Sequence, residues 1–313
     1  LLKSIKTKGS AAIMKPALSL TAVPGRRLQT LELVRETERR GFAGVFTPSV
    51  LGGLTFAEAM VQATERMPVG VTIAPIYART AEDFAQSAAF AHEVSGGRFH
   101  LGLGVSHAPS LARMGVSAGK PLADTRDFLA RLRAVQGVGQ LPPIILAGLR
   151  EKMIALAGEL ADGLVFANAS RRGMAASLAA LPAAKRDDPG FFIGCMTPTV
   201  VTDDLEAGKA VHKRTLARYL TLPNYRNYWK ACGYEEEMAA VEKALAEGRQ
   251  ADVAGLISDR WLADVTLFGP AGAIREAVEA WREAGVRTPI LVPSSVNGNQ
   301  TVAVQEIFAA FED

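Results

Sequence analysis

His107 is the residue most clearly placed to move a proton, because it follows a strand-like run, residues 99–105, in which Gly102 and Gly104 alternate with apolar side chains. Histidine titrates near neutrality and can give or take a proton at working pH. Ser106 stands beside it with a hydroxyl. Phe99, Leu101, Leu103 and Val105 share one face of the run, and the glycines on the other face read as leaving space for a ligand against the backbone. The alternative is that His107 only hydrogen-bonds a ligand or a loop carbonyl. His100 has the parity of the glycines but lies mid-strand, so it reads as a core histidine, while His92 and His212 read as surface or packing residues. No two histidines, and no histidine–carboxylate group, have ligand spacing on one element, which predicts no metal.

These residues need elements to hold them. Eight apolar runs, at 17–21, 44–47, 69–75, 98–105, 143–147, 163–167, 191–200 and 288–293, read as strands. Helical-period segments separate most of them, at 28–40, 56–66, 81–94, 122–135, 150–160 and 173–184, and a last helix is expected at 302–311. Strand–helix alternation of this kind is the pattern of a parallel sheet. Eight units predict an α/β fold, a (β/α)8 TIM barrel, in which ligands sit at the carboxyl ends of the strands. An open doubly wound sheet is the alternative, since periodicity cannot see closure.

Between the seventh and eighth strands, residues 203–285 read as a helical insertion. It contains a helix at 204–220, an aromatic linker at 223–229, an acidic helix and a helix at 273–284. Insertions of this size shape a substrate pocket or an oligomer contact, or serve as structural cover. Tyr225 and Trp229 are its pocket candidates, with core packing as the other use. Ser49, after the second strand, could bond a substrate or simply begin a loop.

With 313 residues, 49% of them hydrophobic, the chain can bury a large core. Its +3 charge comes from Lys3, Lys6 and Lys8, whose removal leaves 32 basic against 32 acidic residues. Residues 1–13 read as a leader or tag-like segment, and 14–313 as a single barrel domain. No apolar run has the length to span a bilayer, and no basic run is interleaved with aromatics, so neither membrane nor nucleic acid is an expected partner. Cys195 and Cys232 form neither a redox pair nor a zinc spacing and read as free thiols of a reducing cytoplasm.

The run Ser95-Gly96-Gly97-Arg98-Phe99-His100-Leu101-Gly102-Leu103-Gly104-Val105-Ser106-His107 resembles the luciferase-like superfamily, and specifically its branch that uses coenzyme F420. The resemblance implies an oxidoreductase that transfers a hydride between the deazaflavin and a small organic substrate, acting as a homodimer. An FMN-dependent monooxygenase using molecular oxygen is the alternative, and a non-catalytic flavin- or deazaflavin-binding protein a third. The third strand resembles the family segment whose bulge supports the cofactor, which implies a cis peptide between Thr72 and Ile73. Carried over in the same way, Gly104, Ser106, His107, Ala147 and Gly148 would meet the cofactor, with backbone amides at Gly148 as ligands. Asn168 and Arg171 would meet its phosphate, unless Arg171 is merely solvated. One departure matters: residues 45–49 lack the acidic side chain that related alcohol and sugar-phosphate dehydrogenases carry there, so their specific reactions do not transfer.

Overall fold

Among the described residues nine strands form, and every pairing between them is parallel. The protein is seen through a computed structural model that describes residues 14–48, 50 and 52–312; the expected leader at 1–13 and Ser49 lie outside them. The strands are β1 Ala17–Ser19, β2 Val45–Thr47, β3 Val69–Pro75, β4 Phe99–Gly104, β5 Ile144–Ala147, β6 Gly163–Ala167, β7 Phe192–Val201, β8 Leu267–Gly269 and β9 Thr288–Ser294. β1 to β6 pair in sequence order, β6 pairs with β7, β7 with β9, and β9 with β1. Eight strands therefore close on themselves, and the fold is a (β/α)8 barrel rather than an open sheet.

The ninth strand, β8, was not expected. It adds to the far end of β7, Thr199 opposite Leu267, and stands outside the closed ring. Three residues are too few for a periodic signal, and Gly269 with Pro270 ends the run at once. The insertion is therefore helical with one added strand. Its aromatic segment is also not a linker: Pro223–Ala231 is a helix, with Pro223 at a first-turn position where a missing N–H costs nothing. Conversely, the helix expected at 173–184 is two pieces, Met174–Leu178 and Ala183–Arg186, interrupted before Pro182. The expected loop after β4 contains a short helix, Ala108–Arg113.

Alternation along β4 sorts its side chains as read from the sequence. Phe99, Leu101 and Leu103 are fully buried in the layer between barrel and helices. There they meet helix Ala81–Val94, whose Phe84, Ala85, Ala88 and Ala91 are buried and whose Phe84 ring stands edge-on to Phe128 at 5.6 Å. Inside the barrel a smaller core forms from Ala17, Phe46, Ile145, Val165 and Ile290. His100 faces inward near Phe46 and Phe192, with ring centroids 6.3 and 6.0 Å away, and its Nδ1 lies 3.1 Å from the Arg98 carbonyl. It is the satisfied core histidine expected.

The connection into β3 is held by charge. The Glu38 carboxylate accepts from the amides of Glu65, Arg66 and Met67 at 2.8–3.1 Å. Arg98 donates to the carbonyls of Met67 and Thr64 from the other side, at 2.9 and 3.0 Å. Of the remaining histidines, His212 is fully buried, not at the surface, with Nε2 3.0 Å from the Leu267 carbonyl, and His92 is also buried. Among the described residues no helix is long and apolar enough to cross a membrane.

Candidate active site

The carboxyl ends of β3 to β6 bring the sequence-predicted residues together. In β3 the pairing with β4 shifts between Val71 and Ala74, and the peptide bond between Thr72 and Ile73 is cis, where the resemblance implied it. Thr72 is 3% exposed, and its Oγ1 has no hydrogen-bond partner among the described residues. A buried hydroxyl left unpaired is costly, which marks it as a group available to a ligand.

The two glycines of β4 require a correction. A Cβ on Gly102 would stand 2.1 Å from the Val71 carbonyl oxygen, so this position is empty of side chain because the bulged backbone of β3 fills it. A Cβ on Gly104 would meet Ala147 Cβ at 3.0 Å and Ile73 at 3.1 Å. The space the sequence suggested for a ligand is thus occupied by the protein's own chain. What faces outward at the strand ends is a patch of half-buried residues, Ile73, Val105, Ser106, His107 and Ala147. Any flat ligand would rest on the side chains of Ile73 and Ala147, not on bare glycine.

Ser106 and Asn168, which follow β4 and β6, are the only non-glycine residues with positive φ among those described, at 62° and 52°. Left-handed backbone is tolerated by asparagine but is uncommon for serine. Strain of this sort gathers at functional sites.

His107 is covered by the insertion. Its ring lies 5.6 Å from Tyr225 and 6.3 Å from Tyr219. Burial, and then the positive charge of Arg218, push its pKa below the ordinary 6.5, which favours the neutral imidazole. Only His100 and His212 make ring hydrogen bonds to other described residues, which leaves His107 without one. Tyr225 is 5% exposed, and burial pushes its hydroxyl pKa up. Trp229, expected to line a pocket, is fully enclosed instead; its indole N–H donates to the Asn168 carbonyl at 3.1 Å, so it supports the site from beneath.

The expected backbone ligand at Gly148 is already engaged, and so are most amides of the loop that holds Asn168 and Arg171. The Gly148 amide donates to the Val165 carbonyl at 3.1 Å, and a Cβ there would come within 2.7 Å of Leu164. Gly148 is thus small for packing and offers no free amide. In the loop after β6, the amides of Asn168, Ser170, Arg171, Arg172 and Gly173 all donate within the protein. An anion here would be held by side chains. Arg150, Arg171 and Arg172 suit that purpose, since none joins an ion pair among the described residues.

Nothing in the sequence marks Tyr219, Arg218 or Asp264 as members of this neighbourhood. They come from the insertion, and only the fold brings them to β4 and β6. A cleft of about 680 Å3 opens beside the ends of β7, β8 and β9 instead, lined by Asp203, Asp204, Pro270, Asn297 and Glu306 among others. It contains none of the predicted site residues.

Comparison with known proteins bears on the family and the fold. The family model described as luciferase-like monooxygenase matches residues 15–288. A Mycobacterium tuberculosis (strain H37Rv) protein, provisionally named a coenzyme F420-dependent oxidoreductase, is 28% identical over 314 residues, covering 84% of this chain and 90% of its own. Among solved structures, the coenzyme F420-dependent tetrahydromethanopterin reductase of Methanopyrus kandleri superposes with a TM-score of 0.72 at 14% identity, over 94% of this chain and 97% of that one. An F420-dependent secondary alcohol dehydrogenase, solved with an F420–acetone adduct, gives 0.69 at 17% identity, over 96% and 100%. At such identities the two structures speak for the fold alone.

Proposed function

The chain belongs to the luciferase-like monooxygenase family of enzymes, and from that premise we propose that it is an F420-dependent oxidoreductase acting on a small organic substrate. The observation that carries this reading is the His107 imidazole, which makes no ring hydrogen bond to other described residues, beside a half-buried patch at the barrel's carboxyl rim that includes Ile73 and Ala147. The M. tuberculosis relative bears F420 in its name, which supports the choice of cofactor.

The residues present fit such a group. Ile73 and Ala147 offer apolar side chains to a ring face, and among the described residues the Thr72 hydroxyl has no hydrogen-bond partner and Arg150 and Arg171 join no ion pair, so both could meet anionic groups. When bound there, a deazaflavin would supply a two-electron carrier that gives or accepts hydride. The chain's own contribution is orientation and exclusion of water. Tyr219 and Tyr225 pack beside His107, and the imidazole holds or moves a proton at a ring nitrogen that no other described residue bonds.

The FMN monooxygenase reading is favoured by the family model's own description. Mixing the purified protein with each cofactor separates the two. A shifted deazaflavin absorbance band, with FMN washing away, is the expected result; FMN retained through gel filtration, with no change in the F420 band, would overturn the assignment.

A further inference from the structure

The insertion sends one carboxylate into the protein interior, and it touches none of the predicted site residues through its own side chain. Asp264, on helix Asp259–Val265, is 3% exposed. Its carboxylate accepts from Ser170 Oγ, from the Tyr234 hydroxyl at 2.9 Å and from the Arg172 amide at 2.9 Å. Its backbone carbonyl accepts from the Arg171 amide at 3.2 Å. It joins no ion pair among the described residues. A buried carboxylate held only by neutral donors is a costly way to fasten a helix, because an apolar residue of similar size would do so without desolvating a charge.

The arrangement makes sense as a device for the loop. Three of the four groups that Asp264 receives lie within 170–172, and Ser170 Oγ accepts in turn from the Gly173 amide at 3.0 Å. Two neighbouring insertion residues reinforce the hold: the Tyr228 hydroxyl accepts from the Ser170 amide at 3.1 Å, and Trp229 bonds the Asn168 carbonyl. Asp264 thus sits where an external anion would otherwise attract the loop's donors, and it leaves the loop's side chains as the groups that remain available.

We propose that Asp264 is a positioning residue, whose carboxylate fixes the loop 168–173 and thereby holds Asn168 and Arg171 at the rim of the barrel for the cofactor. The inference rests on the cofactor reading given above. It does not make Asp264 a catalytic residue, since its contacts are with the loop and with Tyr234.

Two readouts test it on the full chain: hydrogen exchange of the loop amides, and F420 affinity followed by the cofactor's fluorescence. Asp264→Ala leaves Ser170, Tyr234 and the Arg172 amide without their acceptor. Exchange at residues 170–173 should quicken by about tenfold or more, and the Kd for F420 should rise by about as much, with β4 and β5 keeping their exchange rates. Asp264→Asn, which keeps one acceptor oxygen, should recover a large part of both. Wild-type loop exchange and wild-type Kd in the alanine variant would overturn the proposal. So would acceleration spread evenly over the barrel strands, the mark of a merely structural carboxylate. If Asp264→Ala does not fold, Tyr234→Phe decides: the same two changes in smaller degree uphold the proposal, and their absence overturns it. A wild-type protein that binds neither F420 nor FMN counts against the cofactor reading instead, and the exchange comparison then decides whether Asp264 anchors the loop.

Discussion

Gly102→Ala and Gly104→Ala, two residues apart on the same face of β4, are expected to differ sharply. At position 102 the new methyl would stand 2.1 Å from the Val71 carbonyl oxygen and 3.2 Å from the Thr72 Cα. Nonbonded heavy atoms settle at about 3.5 Å, so β3 would have to retreat by roughly 1 Å or more. It is not free to do so: Val71 is paired with Leu101 on one side and Thr47 on the other. Ordinary overpacking costs about 1–3 kcal/mol, and a clash that backbone cannot relieve belongs beyond that range, at about 4 kcal/mol or more. At position 104 the nearest atoms are side-chain carbons of Ala147 and Ile73, at 3.0 and 3.1 Å, and Ile73 can turn. There the loss should be about 1 kcal/mol. Denaturant unfolding followed by circular dichroism compares the two directly. If Gly102→Ala lies within about 1 kcal/mol of the wild type, or if Gly104→Ala is the worse of the pair, the described packing of β3 against β4 is wrong.

Acid should weaken the fold through His212, whose pKa burial lowers from 6.5 to about 4. Between those values the unfolded chain takes a proton that the fold refuses, so stability falls by up to about 3 kcal/mol as pH drops from 6.5 to 4 and then levels off. Unfolding curves across that range, for wild type and His212→Gln, should diverge; equal pH slopes would refute the assignment. Glu38 acts in the same direction at lower pH. Burial alone would raise its pKa, but the amides of Arg66, Met67 and Glu65 and the charge of Arg98 lower it overall. Its contribution is therefore complete above the ordinary carboxylate value of 4.5 and is lost as pH falls through the lowered one. Glu38→Ala should cost about 1–3 kcal/mol at pH 7, and a stability unchanged by that substitution would show that water replaces the carboxylate without loss.

Much of the barrel was legible in the sequence because parallel strands buried on both faces leave continuous apolar runs. The bounds expected for β3 and β6 are the ones found, and the cis bond falls between Thr72 and Ile73 as the family resemblance implied. Closure was not legible, since it depends on β9 meeting both β1 and β7, strands far away in the chain. The glycines of β4 were misread for a related reason. A glycine announces that no side chain fits, but whether a ligand or a neighbouring strand fills the place is a fact of tertiary structure. Asp264 was invisible for the same cause, as it reaches Ser170 across 94 positions of sequence and sits in no motif. Trp229 reads from the sequence as either a pocket wall or core packing, because an aromatic residue looks alike in both uses, and only the fold shows it fully enclosed.

Under the proposed function a redox ring rests at the carboxyl ends of β3 to β6, facing His107. A crystal structure of the protein grown with F420 tests it most directly. The predicted result is ring density in contact, within about 4 Å, with Ile73 and Ala147, and with the His107 imidazole turned toward it. Density seated instead in the cleft beside Asp203 and Glu306, with Ile73 and Ala147 untouched, would contradict it.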